Sequence, residues 1–265
     1  MKELIVLKIG GSLITKKSEQ KPSLNIKNIK RISAEIKNGF NPEKNSLVLI
    51  HGAGSYGHPI VKRTGIHKGI KTKEQLVDFA ETQRLQNVLN SLVCKELIKK
   101  KLPAVPCQPS SSAVMKNGKL DSLDLKAIKG MLEINLIPVL YGVPAYDSAQ
   151  KCSILSGDEI ISYLAKNLNA SRIIHATDVS GVYDSDPKKN KNAALIKKFT
   201  KNNLSALSSS SNTDVTGGMM KKVSEIIELG IETEIISGLE KGNIEKALKG
   251  QKGMGTAVNF NRSGV

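Results

Sequence analysis

The chain has 265 residues, 39% hydrophobic, 24% charged and 3% aromatic, with no Trp and a formal net charge of +16. That apolar content supports a substantial core and excludes a disordered chain, while the strand-sized apolar runs exclude a transmembrane helix. The charge invites a nucleic-acid reading, but stacking aromatics are scarce and the lysines are spread along the whole sequence, so it is set aside.

All but five of the 40 basic residues are lysine, the exceptions being Arg31, Arg63, Arg84, Arg172 and Arg262. A solvated lysine-rich surface of this kind favours small polyanionic substrates. The three cysteines, Cys94, Cys107 and Cys152, form no CxxC pair, which excludes a disulfide scaffold or a zinc site and leaves them as small buried hydrophobes. The N-terminus lacks the apolar stretch and cleavage site of a secretory signal, so the expectation is a cytoplasmic protein with no membrane partner.

In chain order, Leu4 to Ile9 reads as a strand that ends in Gly10-Gly11-Ser12, with Lys8 just before the glycines. Ile26, Ile29, Ile32 and Ile36 recur at helical spacing, and Gly39 closes that helix. A second strand, 47 to 51, runs into His51-Gly52-Ala53-Gly54 and on to His58. A long helix follows from Thr72 to about Lys101, with Thr72 and Gln75 as a capping box and Leu76, Phe79, Leu85, Leu89, Leu92 and Val93 inward.

The segment 102 to 107 is the next strand, and Asn117-Gly118 marks a hairpin. A helix over 124 to 134, a strand over 136 to 141 and β-structure over 143 to 155 come next. Ser156-Gly157-Asp158 opens a helix to Leu168, with Ser156 or Asp158 at its cap. Then come a strand over 172 to 176, a polar loop from Thr177 to Asn192, and a surface segment around Ser208 to Asn212. Thr216-Gly217-Gly218 starts a helix that ends at Gly230, and a strand over 232 to 237, a short helix and a last strand near 256 to 260 complete the chain. Strands alternating with helices predict a mostly parallel central sheet covered on both faces, an open αβα sandwich. We expect two lobes on one continuous sheet, residues 1–168 and 169–265.

Two strand ends rich in glycine let backbone N–H groups crowd one spot, which suits anions, and two such elbows imply two phosphates. Lys8 lies at the carboxyl end of a strand, where open α/β sheets bind ligands, and Lys222 lies one turn into the helix opened by Gly217-Gly218. Together they can neutralise a phosphoryl group from two sides. Asp158 either holds those lysines or caps its helix. Of the histidines, His51, His67 and His175 read as strand or loop residues, and only His58 follows a glycine cradle. The stretch Thr177-Asp178-Val179-Ser180-Gly181-Val182-Tyr183 is a nucleotide-edge loop or a polar turn. Neither the Walker A spacing nor G-x-G-x-x-G occurs at the first elbow.

Taken together, Lys8-Ile-Gly-Gly-Ser12, His51-Gly-Ala-Gly54, Ser156-Gly-Asp158, Thr177 to Val182 and Thr216-Gly-Gly-Met-Met-Lys-Lys222 resemble the amino-acid kinase superfamily. His58, the Gln108-Pro-Ser-Ser111 segment and Asp214-Val-Thr-Gly-Gly218 make the chain similar to the isopentenyl phosphate kinases within it. The resemblance implies ATP-dependent phosphorylation of isopentenyl phosphate for isoprenoid biosynthesis, Mg²⁺ held mainly by the ATP phosphates with no metal site in the protein, and a homodimer.

By position, it assigns Lys8, Gly10, Gly11, Gly54, Gly218 and Lys222 to the ATP phosphates, and Thr177, Asp178, Gly181 and Tyr183 to the nucleoside. Ala53, Gly54, His58 and Gly157 hold the acceptor phosphate; Phe79, Thr82 and Gln83 form the prenyl pocket. Lys17, beside Lys16, is a further transition-state lysine, and Asp158 orients the lysines. Ala53 departs from the usual His-Gly-Gly-Gly, which is tolerated if its φ is negative, and Tyr141-Gly142-Val143 stands where the family often reads His-Gly-Asp. The alternatives are another kinase of the superfamily, acting on a fosfomycin-like or carboxylate acceptor, and a non-catalytic nucleotide- or nucleic-acid-binding protein.

Overall fold

The computed structural model describes residues 2–16, 21–187, 189–200, 203 and 217–259. Lys17, the Ser208 to Asn212 segment and Thr216 lie outside the described residues.

The elements in order are β1 (Glu3–Ile9), α1 (Gly11–Ile14), α2 (Ile26–Gly39), β2 (Asn45–His51), α3 (His58–Thr64), α4 (Glu74–Lys99), β3 (Ala104–Pro106), β4 (Ala113–Lys116), β5 (Lys119–Leu123), α5 (Lys126–Glu133), β6 (Ile137–Tyr141), β7 (Val143–Asp147), β8 (Lys151–Leu155), α6 (Gly157–Asn167), β9 (Arg172–Thr177), β10 (Lys198–Phe199), α7 (Gly217–Leu229), β11 (Glu232–Ser237), α8 (Asn243–Leu248) and β12 (Thr256–Val258). The main sheet has the order β10-β12-β11-β9-β1-β2-β6-β3 and is parallel except where β11 meets β12. A smaller sheet, β5-β4-β7-β8, stands beside it. The expected open αβα sandwich is what the chain forms.

Both faces of the central strands are buried because successive side chains point to opposite sides. Ile5, Leu7, Leu49, Val139 and Ile174 pack toward α2, α4 and α8, whereas Val6, Val48, Ile50, Leu140 and Ile173 pack toward α5 and α6. A third cluster joins Val223 and Ile226 of α7 to Ile235 and Val258.

Local details refine the sequence reading. Asn25 caps α2 through its side chain and Asn28 N–H. Gly39 is the last residue of α2, and its role is close approach: a Cβ there would fall 2.7 Å from Glu245 O on α8. Asn117 and Gly118 both have positive φ, as the hairpin turn requires. On α4, Leu76 is 56% exposed, so the inward stripe starts later than the periodicity suggests. Gln75 Oε1 accepts from the backbone of Lys71 and Thr72, which holds the entry to that helix.

The small sheet is tied together by one fully buried carboxylate. Asp147 accepts from Asn117 N at 3.2 Å, Gly118 N at 2.8 Å, Ala149 N at 2.9 Å and Gln150 N at 3.0 Å, joining the turn of one hairpin to the turn of the next. Burial works against its charge, but those backbone donors prevail and bring its pKa down to about 2.

Candidate active site

β1 and β2 are register neighbours, so their carboxyl ends deliver the two glycine turns to the same place. The turns interlock. A Cβ on Gly11 would sit 2.5 Å from Gly54 N, and one on Gly52 would sit 2.6 Å from Gly11 N. Gly54 has φ +53, and a side chain there would meet Thr15 Oγ1 at 2.1 Å. Thr15, a buried residue not singled out from the sequence, donates to Gly11 O at 2.8 Å and accepts from Ser55 N at 3.0 Å, fastening one turn to the other. Ala53 has φ −68 and ψ −34, an ordinary right-handed conformation that accommodates its methyl.

Two cavities border this double turn. One of about 490 Å³ is lined by Ser12, Ser55 and Pro59, the other of about 240 Å³ by Ala53, Gly57 and Gly157; Gly11 and His58 border both.

Above the β1 end sit the charges. Ser156 caps α6 in a reciprocal box with Glu159: Ser156 Oγ accepts from Glu159 N, and Glu159 Oε2 accepts from Ser156 N at 3.0 Å. That resolves the choice between two caps, because Asp158 is left to face the lysines. Lys8 Nζ lies 2.5 Å from Asp158 Oδ1, and Lys222 Nζ lies 3.1 and 3.3 Å from its two oxygens. Gly157 lets α6 start directly over Lys8, since a Cβ there would be 3.3 Å from Lys8 Cε.

Burial of Lys8, reinforced by Lys222 and opposed by Asp158, lowers its pKa to about 8. Burial also disfavours the Asp158 carboxylate, yet the two ammonium groups outweigh it and hold Asp158 well below the usual carboxylate range. Sequence reasoning passed over His175, which pairs in register with Lys8 on β9 and places Nδ1 3.8 Å from Asp158 Oδ1.

The 240 Å³ cavity continues from Asp158 into an apolar recess of Val61, Val143, Pro144 and Ile154, with Thr82 and Gln86 on its α4 side. Phe79 is half-buried one turn before Thr82, and the Gln83 amide donates to Pro144 O at 3.0 Å while accepting from Gln108. Of the residues lining the recess, Val61, Pro144 and Ile154 carried no sequence signal, because short apolar residues look alike until the fold brings them together, and Gln86 was not singled out either. His58 is exposed at the cavity rim and begins α3. His51 is fully buried; it stacks on Tyr141 with centroids 5.4 Å apart and lies 3.1 Å from Asn90 Nδ2. Burial drops its pKa to about 4 despite a backbone hydrogen bond to Gly52 O, so it is a neutral core residue.

After β9, Thr177 Oγ1 donates to Val179 O at 2.9 Å and shapes the loop that follows. Asp178 lies at the start of that loop, and Tyr183 bridges to Leu195 on its return arm. Gly181 is required by crowding, since a Cβ would meet Thr256 Oγ1 at 2.4 Å. Thr256 accepts from Val182 N and donates to Ile196 O, strapping the loop to β12. Gly217 and Gly218 form the first turn of α7, which carries Lys222 to Asp158. Among the described residues, no group of three or more His, Cys, Asp or Glu is placed to hold a metal ion.

The model of the amino acid kinase family matches residues 3–236. The chain is similar to an isopentenyl phosphate kinase of Methanothermobacter thermautotrophicus, with 39% identity over 96% of this chain and 98% of that one. It is also similar to one of Methanocaldococcus jannaschii, with 38% identity over 97% and 99% of the two chains. Among solved structures, an isopentenyl phosphate kinase superposes with a TM-score of 0.84 at 37% identity, covering 96% of this chain and 99% of that chain.

Proposed function

Because the chain belongs to the amino acid kinase family, we propose that it transfers the γ-phosphoryl group of ATP to the phosphate of isopentenyl phosphate, giving isopentenyl diphosphate and ADP. The observation that carries this reading is the continuity of a cationic cluster, Lys8 and Lys222 on Asp158, with a recess whose far wall is Val61, Val143, Pro144 and Ile154. A phosphorylated head and a short hydrocarbon tail match those two halves, and the named relatives act on the same acceptor.

The acceptor oxygen is already anionic, so no strong general base is needed; the barrier is repulsion between two anions. His58 and the Ala53, Gly54 and Gly157 backbone hold the acceptor phosphate at the end of β2. Lys8 and Lys222 then leave the Asp158 carboxylate for the donor oxygens, assisted by Gly10, Gly11 and Gly218. The attacking oxygen forms its bond to the γ-phosphorus as the bond to the ADP oxygen breaks, and the electron pair leaves with ADP. Lys17 is assigned to the same charge by resemblance alone. The loop of Thr177, Asp178, Gly181 and Tyr183 holds the nucleoside. Among the described residues, the one carboxylate touching the lysines is already shared by both, which fits Mg²⁺ carried on the nucleotide phosphates, where it would neutralise donor charge.

The same reading divides the work between residues 1–168, at the acceptor end, and 169–265, at the ATP end, and includes a homodimer in the cytoplasm. No helix among the described residues is long and apolar enough to cross a membrane. Exposed apolar side chains such as Val77 and Ile134 offer surface for self-association, which light scattering tests directly.

The decisive assay is ADP release with isopentenyl phosphate, dimethylallyl phosphate, fosfomycin, UMP and acetylglutamate as acceptors. Isopentenyl phosphate is expected to give the highest kcat/KM. Preference for acetylglutamate or UMP would overturn the acceptor, and ATP-independent binding of DNA with no turnover would overturn the enzyme.

A further inference from the structure

His175 is 1% exposed, and among the described residues neither of its ring nitrogens has a hydrogen-bond partner. Two orphaned nitrogens on one buried ring are expensive in a folded protein and call for an explanation. The ring is not remote from the chemistry. Lys8 and His175 are register partners on adjacent parallel strands and face the start of α6, and His175 Nδ1 lies 3.8 Å from Asp158 Oδ1, just beyond hydrogen-bond reach. Among the described residues, the other charged groups around it are Lys8 and Lys222, which occupy that same carboxylate at 2.5 and 3.1 Å.

Burial first, and then the nearby Lys222, push the imidazole well below its ordinary pKa, so the ring is neutral. A neutral imidazole supplies one N–H donor without adding a third cation to repel the lysines. That is the property needed by a carboxylate about to lose its partners.

We propose that His175 is a positioning residue for Asp158: when Lys8 and Lys222 swing onto the ATP phosphates, the Nδ1–H closes onto the carboxylate oxygen they vacate and holds Asp158 in place. The proposal rests on the reading of Lys8 and Lys222 as phosphate-binding groups. It explains why the ring is stored without partners beside a carboxylate held by two ammonium groups. It also predicts that His175 matters to the step at which the lysines are fully engaged with the donor and less to the initial capture of ATP.

The test compares His175→Asn, His175→Gln and His175→Leu by ADP release with isopentenyl phosphate, alongside Tm. The Asn amide can place a donor near the Nδ1 position, the longer Gln amide places it toward Nε2, and Leu has none. The Asn variant is expected to keep kcat within about threefold, and the Leu variant to lose about tenfold or more in kcat with KM for ATP little changed and Tm retained. Wild-type kcat in the Leu variant overturns the proposal, as does an Asn variant that falls as far as Leu. If Leu does not fold, the Asn and Gln pair decides: retention in Asn with loss in Gln supports the role, and equal behaviour overturns it. Wild-type protein that turns over no phosphate acceptor removes the functional reading and this proposal together, whereas normal wild-type turnover with an indifferent His175 removes this proposal alone.

Discussion

Lys8 on β1 and Asp158 on α6, 150 residues apart in sequence, meet at 2.5 Å, and Lys222 closes on the same carboxylate from a third element. One carboxylate balancing two ammonium groups leaves the site net cationic, which is the state an anionic donor needs on arrival. Asp158→Asn removes the carboxylate that both ammonium groups contact. It is expected to lower kcat about a hundredfold and stability by about 3 kcal/mol or less, since the Asp158 side chain remains 29% exposed. ADP release and urea unfolding measure the two effects, and an Asn variant with wild-type kcat would refute the role.

Activity and stability should respond to alkali in opposite senses through Lys8. With a folded pKa of about 8, against 10.5 unfolded, Lys8 is cationic below pH 8 and increasingly neutral above it. The kcat/KM for ATP should therefore be level near neutrality and fall as pH rises through about 8. Between about 8 and 10.5 the unfolded chain binds more protons at this site than the folded one, so the Lys8 contribution to stability rises with pH. Lys8→Met should abolish turnover and flatten that alkaline gain relative to wild type. Paired pH–rate and pH–stability profiles check both signs.

His58 stands exposed at the rim of both cavities, so removing it should leave the fold alone. His58→Ala is expected to cut kcat/KM for isopentenyl phosphate by about a hundredfold, with ATP affinity and Tm unchanged. Unaltered acceptor kinetics would detach His58 from the acceptor phosphate.

The double turn makes sharply different demands on neighbouring positions. Gly54→Ala introduces a methyl 2.1 Å from Thr15 Oγ1 at φ +53, and should cost several kcal/mol or prevent folding. Ala53→Gly, at φ −68, should shift stability by only about 1 kcal/mol and kcat by a few-fold. Comparable losses at the two positions would contradict the interlocked geometry.

The tie made by Asp147 predicts where acid acts outside the catalytic cluster. Its folded pKa of about 2 lies below the ordinary 3.8, so its stabilisation is complete above about pH 4 and is lost as pH falls toward 2. Asp147→Ala orphans four backbone N–H groups and should cost about 2 kcal/mol or more, measured by thermal melting at pH 7. A much smaller loss would show the two hairpins to be held by other contacts.

Long-range organisation followed from short-range patterns where the patterns were strong. Alternating strands and helices announced the αβα sandwich, Asn117-Gly118 announced its hairpin, and glycine turns beside Lys8 announced anion chemistry, because each signal depends only on backbone geometry or side-chain period. Motif resemblance brought Asp158, Lys222 and His58 into one site. What sequence left open was who touches whom: Asp158 as cap or counter-ion was decided when Ser156 and Glu159 formed the box, and Leu76, read as inward from its spacing, proved exposed. His175 and Thr15 had no local signature at all. A histidine in an apolar strand and a threonine after a short helix acquire meaning only from residues on other strands and turns, and those distances are set by register and packing across the sheet. The chain by itself thus determined the kind of chemistry and the scaffold for it, while tertiary structure alone decided which buried polar atoms are satisfied, which are held waiting, and which carboxylate the cations share.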